Sequence, residues 1–95
     1  MIDKVAIHER FCNDLNAMYA HKNSDYGDSF AKSLAEYGMV MPCIRLEDKL
    51  NRLKALTVYN NTRKVSDESI EDTLMDIANY AIMTLIELTI DKGEE

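Results

Sequence analysis

An all-α fold, a four-helix bundle, is the class this sequence predicts, and three observations predict it. Only three Gly and one Pro in 95 residues leave few breaks, which favours long helices. Apolar residues recur at steps of three and four over most of the chain. No run alternates with period 2 for long enough to form a strand. With 46% hydrophobic residues the composition is that of an ordinary globular chain. Its length suits a single domain, residues 1–95, near the small end of what holds a core alone.

The first helix is predicted over 3–20, where Ile7, Phe11, Leu15 and Met18 form a stripe that Cys12 and Tyr19 widen. "HKNSDYGDS" (21–29) reads as a polar turn, with Asn23, Ser24, Asp25 and Gly27 as breakers. Ser29 is the expected N-cap of a short helix over 30–37 that puts Phe30, Leu34 and Tyr37 on one face. Gly38 suits the position just past its end. "MVMP" bridges to Pro42, a good first-turn residue, and a helix over 43–58 follows with Leu46, Leu50, Leu53 and Thr57 on one side. "YNNTRKVS" (59–66) reads as a loop, and Ser66 or Asp67 caps a last helix over 67–91. After Asn79 that helix is apolar on most sides and must be buried. Three short partners are too few to cover it, so the chain is expected to self-associate as a homodimer or homotetramer with a shared bundle.

A net charge of −6 argues against direct nucleic-acid binding, because the phosphate term would be repulsive. It does not argue against a free nucleotide that arrives with Mg²⁺. Cys12 and Cys43 show neither CxxC nor paired metal spacing and read as buried thiols. The N-terminus "MIDKVAIHERF" lacks the apolar centre of a leader peptide. The longest apolar run, "YAIMTLIELTI", contains Glu87 and falls short of the roughly 20 residues that span a bilayer. A cytoplasmic protein with no membrane partner is the expectation. His8 and His21 have no partner pattern and read as solvent-exposed.

Two acidic stripes stand out. In "ESIEDTLMDIAN", Glu68, Asp72, Asp76 and Asn79 lie within an arc of roughly 80° on a helix. In the helix over 43–58, Glu47, Asp48 and Asn51 lie away from the leucine stripe. Two helices offering acids and amide carbonyls at one depth assemble hard oxygen ligands, the donor set of a Mg²⁺ ion shared with phosphates. Lys49, Lys54, Arg45 and Arg52 are interspersed as possible phosphate contacts. The plain alternative is a solvated face with i,i+4 ion pairs, and "EDKLNRLK" suits it well. Asp72 and Asp76 suit it less, since no basic residue lies within one turn of them.

"HKNSDYGDSFAKSLAEYGMVMPCIRLEDKLNRLKAL" followed by "VSDESIEDTLMDIANYAIMTL" resembles the nucleotide-modification-associated domain family (type one), small proteins common in phages and prophages. The motifs that carry the resemblance are K-N-x-D-Y-G, R-L-x-D-K-x-x-R and D-E-S-x-x-D-T-L-x-D-x-A-N-Y. That family in turn resembles the MazG-like all-α nucleotide pyrophosphohydrolases. Those enzymes hold Mg²⁺ between an E-E-x-x-E helix and an E-x-x-D helix, and cleave nucleoside triphosphates to monophosphate and pyrophosphate as dimers or tetramers. In this chain the first motif falls on Glu47, Asp48 and Asn51, so its third acid is an amide. Asp76 matches the terminal aspartate of the second, Thr73 stands three before it, and Asp72 is the nearest acid. Asn51 and Thr73 lower the negative charge available to hold more than one ion. Asn79 resembles the polar residue that some of those enzymes place one turn after the aspartate.

The resemblance implies a MazG-like bundle completed by oligomerisation, with Mg²⁺ held by Glu47, Asp48, Asn51, Asp72 and Asp76. Glu47, Asp48 and Asp76 would be catalytic, and Lys49 and Arg52 would meet phosphate. Lys22, Asp25, Tyr26 and Asn79 would meet the rest of the nucleotide. For "HKNSDYG" a capped turn with no ligand stands beside the substrate-facing loop. Mg²⁺-dependent hydrolysis of a nucleoside triphosphate, in the host-cell cytoplasm if phage-encoded, is the leading functional expectation. A nucleotide-binding module without turnover and a plain helical interaction protein are the alternatives.

Overall fold

The computed structural model describes residues 1–26, 28–59 and 67–93, and of Ser24, Asp25, Tyr26 and Asp67 it describes the backbone alone. Among the described residues there are four α-helices and no strand. They are α1 (Lys4–Tyr26), α2 (Ser29–Tyr37), α3 (Val40–Leu56) and α4 (Asp67–Asp91). The expected all-α class and the bounds of α4 hold. The predicted loop over 59–66 lies outside the described residues from 60 onward.

The other boundaries move for local reasons. Asp3 caps α1, its Oδ1 accepting from the Ala6 N–H at 3.1 Å. The helix then runs through "HKNSDY" to Tyr26 instead of ending near residue 20. Asn, Ser and Asp each cost a helix interior less than about 0.7 kcal/mol relative to Ala, and extending a helix needs no new nucleus. Lys22 and Asn23 therefore project from a helix, not from a loop. Asp28, not Ser29, takes the N-cap position of α2, without a side-chain cap bond. Gly38 ends α2 with φ 73°, its N–H donating to the Leu34 carbonyl at 2.8 Å. Val40 and Met41 join Pro42 in the first turn of α3, three residues earlier than the sequence suggested. α3 ends where Thr57 leaves the helical region (φ −121°, ψ −71°), its hydroxyl donating to the Leu53 carbonyl at 2.7 Å.

The α3–α4 pair makes the most extensive packing, α2 lies on α3, and α1 touches α4 more lightly. Met41 and Lys49 of α3 line the same cavity as Met83 and Asp76 of α4, the register of an antiparallel pair. The inward face of α4 is unexpectedly polar: Thr73, Thr84 and Asn79 are 2%, 8% and 9% exposed. Thr73 donates to the Ser69 carbonyl and Thr84 to the Tyr80 carbonyl, each at 2.8 Å. Both hydroxyls are thereby satisfied within the helix, and the short side chains let α3 approach closely. On α3 the facing residues are Pro42, Leu46, Lys49, Leu53 and Leu56. Leu50, expected in the core stripe, is 45% exposed, and Thr57 lies beyond the helix and is exposed. Lys49 holds the inward position instead.

Little apolar surface is buried. Leu15 and Met41 are the buried hydrophobic residues among those described, and the expected buried thiols Cys12 and Cys43 are both exposed. The Cys12 Sγ lies 3.6 Å from His8 Nδ1, both residues exposed on α1. The outward face of α4 carries Leu74, Ala78, Ala81, Leu85 and Leu88, all exposed. A compact monomer of 10.9 kDa exposes about 5,600 Å², whereas this chain exposes 7585 Å². Its radius of gyration is 15.5 Å, against about 12.4 Å for a compact chain of 95 residues. By length and composition alone α4 is also apolar enough to cross a membrane. The run "YAIMTLIELTI" is shorter than a bilayer span, and α4 reaches spanning length only when the apolar residues on the N-terminal side of it are counted with it.

Candidate functional site

Asp76 is half-buried on α4, and the base that offsets its charge comes from other helices. Lys49 of α3 donates from Nζ to Asp76 Oδ2 at 3.0 Å. Lys22, near the end of α1, brings its Nζ to 4.0 Å from Oδ1. No base within one turn of α4 was available, and the tertiary fold supplies two. This geometry follows from the way α3 is turned. Lys49 faces α4, so Glu47 and Asn51, two residues either side, point about 160° away around the helix.

Around this ion triad lies a cavity of about 350 Å³ to which all four helices contribute. That volume is within the usual range for small-molecule sites. Lys22, Arg45 and Lys49 line it with Asp76 as the opposing charge, so its local balance is positive in a chain of net charge −6. Arg45 and Lys49 are one turn apart on α3 and share its inward side. One turn beyond Asp76 on α4 the character changes. The ring of Tyr80 stacks on Phe30 of α2 with centroids 6.1 Å apart and planes at 30°. Asn79 lines the cavity beside them. Lys22 and Lys49 stand at the level of Asp76, and in the antiparallel register of α3 and α4 Arg45 lies one turn away, level with Asn79 and Tyr80.

Lys22 and Asp76 also line a second cavity of about 550 Å³ on their other side. Its remaining charged residues are Asp14, Glu71 and Asp72. The Lys22–Asp76 pair therefore stands between an anion-attracting space and an acidic one.

The residues singled out in the sequence divide accordingly. Lys22, Lys49, Asp76 and Asn79 come together in the first cavity, and Asp72 joins Asp76 at the second. Glu47, Asp48 and Asn51 are exposed on other faces of α3. Among the described residues no group of three His, Cys, Asp or Glu is placed to hold a metal ion. Arg52 is exposed one turn beyond Lys49 and does not line the cavity. Arg45, one turn before Lys49, does. The side chains of Asp25 and Tyr26 lie outside the described residues. The sequence places Phe30 on one helix face with Leu34 and Tyr37 and does not single out Tyr80, and nothing in helical periodicity separates a core aromatic from one lining a cavity. The spacing of Arg45 and Lys49 was the available signal for the cavity's cations.

A family model described as Nucleotide modification associated domain 1 matches residues 22–88. Every residue lining the first cavity except Tyr19 falls within that stretch. No curated protein and no solved structure matches the chain.

Proposed function

The chain belongs to the Nucleotide modification associated domain 1 family, and from that premise we propose that its four-helix cavity binds a nucleotide. The observation that carries the reading is the cavity itself, which Lys22, Arg45 and Lys49 line together with the stacked Phe30 and Tyr80. Ammonium and guanidinium groups recognise phosphate oxygens. A half-exposed aromatic wall offers a stacking surface to a base. The sequence resemblance to MazG-like pyrophosphohydrolases adds the chemistry, release of pyrophosphate from a nucleoside triphosphate with Mg²⁺.

Asp72 and Asp76, one turn apart on α4, offer hard oxygen donors that suit Mg²⁺, which takes one or two carboxylates and completes its shell with phosphates and water. Bound there, Mg²⁺ would polarise the phosphoanhydride and make a bound water a stronger acid. Glu47, Asp48 and Asn51 face elsewhere, so the proposed ion rests on the α4 acids. In the reaction, water oxygen bonds to the α-phosphorus and the bond from that phosphorus to the bridging oxygen breaks. Pyrophosphate leaves, and the water proton passes to solvent. Lys22 and Lys49 must turn from Asp76 to the phosphates before this happens. That same pairing favours the second reading, a nucleotide-binding protein without turnover, because it occupies the carboxylate the ion requires.

The test is pyrophosphate and phosphate release from a panel of NTPs and dNTPs with Mg²⁺ or EDTA, with Asp76→Asn alongside. EDTA-sensitive pyrophosphate release that the variant loses supports the enzyme. Nucleotide-dependent thermal stabilisation without release supports the binder. Neither effect would overturn both.

The proposed binding unit is an oligomer closed by the outward face of α4. Leu74, Ala78, Ala81, Leu85 and Leu88 follow the 4-3-4-3 spacing of a two-helix seam. The roughly 2,000 Å² by which this chain exceeds a compact monomer is what each partner of a large obligate interface buries. A second copy of the chain offers the same stripe and satisfies both at once.

A further inference from the structure

The ligand proposed above has a base, and the structure points to the residue that would read it. Asn79 is 9% exposed, lines the cavity, and makes no hydrogen bond among the described residues. Its neighbours on the buried face, Thr73 and Thr84, satisfy themselves on helix carbonyls. The Asn79 amide makes no such bond, and the residue lines the cavity. Among the described residues no side-chain nitrogen or oxygen sealed from solvent lacks a partner, so the Asn79 amide is open to solvent, and the cavity it lines is where it can meet a ligand.

We propose that Asn79 is the specificity-determining residue of the site, pairing through its amide with the hydrogen-bonding edge of a nucleobase stacked against Phe30 and Tyr80. This rests on the nucleotide reading above. A side-chain amide presents one acceptor and one donor group side by side, the complement of a base edge that carries a donor beside an acceptor. Its position fits that task. Asn79 and Tyr80 stand one helical turn, about 5 Å, from Asp76 along α4, so a base there places its phosphates toward Lys22 and Lys49, the lysines paired with Asp76. Phosphate recognition and base recognition are thereby assigned to separate residues of one cavity, and separate substitutions remove them.

The experiment is calorimetric titration of the full chain with ATP, GTP, CTP, UTP and their deoxy forms in Mg²⁺, and with inorganic tripolyphosphate. Asn79→Ala and the isosteric Asn79→Asp are measured beside the parent chain. The parent is expected to rank the bases over at least about tenfold in affinity, the scale of one good bidentate base contact. Asn79→Ala should compress that ranking to within about threefold while binding tripolyphosphate as the parent does, and Asn79→Asp, which only accepts and adds a charge that weakens every phosphate ligand alike, should reorder the bases. An unchanged ranking in both variants overturns the proposal. So does an equal loss for tripolyphosphate in Asn79→Ala, which would put Asn79 on the phosphates, or a change confined to ribose against deoxyribose. A parent chain that binds neither tripolyphosphate nor any nucleotide overturns the nucleotide reading itself, a result distinguishable from the others.

Discussion

Lys49 of α3 and Asp76 of α4 meet across the main helix pair at 3.0 Å, each side chain 29% exposed. The contact fixes the rotation of α3, because a lysine occupies the inward position that leucine spacing would have given to Leu50. Partial exposure screens the pair, so its net worth is about 1 kcal/mol. A double-mutant cycle with Lys49→Ala and Asp76→Ala in urea unfolding should return a coupling of that size. Coupling below about 0.3 kcal/mol would mean that the pair does not hold the helices in register.

Arg45 and Arg52 are seven residues apart on the same side of α3, yet only Arg45 reaches the cavity. Arg45→Ala should weaken tripolyphosphate or nucleotide binding about tenfold, the loss of one charge-assisted contact. Arg52→Ala should change it by less than twofold. Calorimetry on the two variants checks this, and equal losses would mean that phosphate lies along α3 and outside the cavity.

Thr73 is 2% exposed and already satisfied on the Ser69 carbonyl. Its smallness is what the contact with α3 uses. Thr73→Leu should therefore destabilise the chain by about 1–3 kcal/mol through overpacking. Thr73→Ser, which keeps the hydroxyl and loses a methyl, should cost about 1 kcal/mol. Thermal unfolding of both decides it: a tolerated leucine would show that the helices are not in close contact there.

The outward stripe of α4 predicts assembly. Leu85, 60% exposed at the stripe, should be buried between two chains. Leu85→Glu should convert the oligomer to monomer in light scattering after gel filtration and lower thermal stability. An unchanged mass would remove the seam from α4. A parent chain that is monomeric in buffer but floats with lipid vesicles would instead assign the apolar face to a membrane.

All-α class, the full extent of α4 and the turn at Gly38 were legible in the chain, because periodicity and a glycine suited to positive φ are local properties. So was the surplus of apolar surface on α4, which counting side chains around a helix reveals without any partner. The ends of α1 and α3 were not, since polar residues permit a helix or a turn at nearly equal cost and neighbouring turns tip the balance. For the site, the sequence marked Asp76 as a carboxylate that needed a cation and named Lys22, Lys49 and Asn79 nearby in chemistry. It could not say that the cation was lysine from two other helices, or that Arg45 and not Arg52 would join them. Which face of α3 turns inward is decided by close packing against Thr73 and by the Asp76 charge, both more than 20 residues away along the chain. Interactions of that range have no signature in local spacing, and they exist only once α3 and α4 lie side by side.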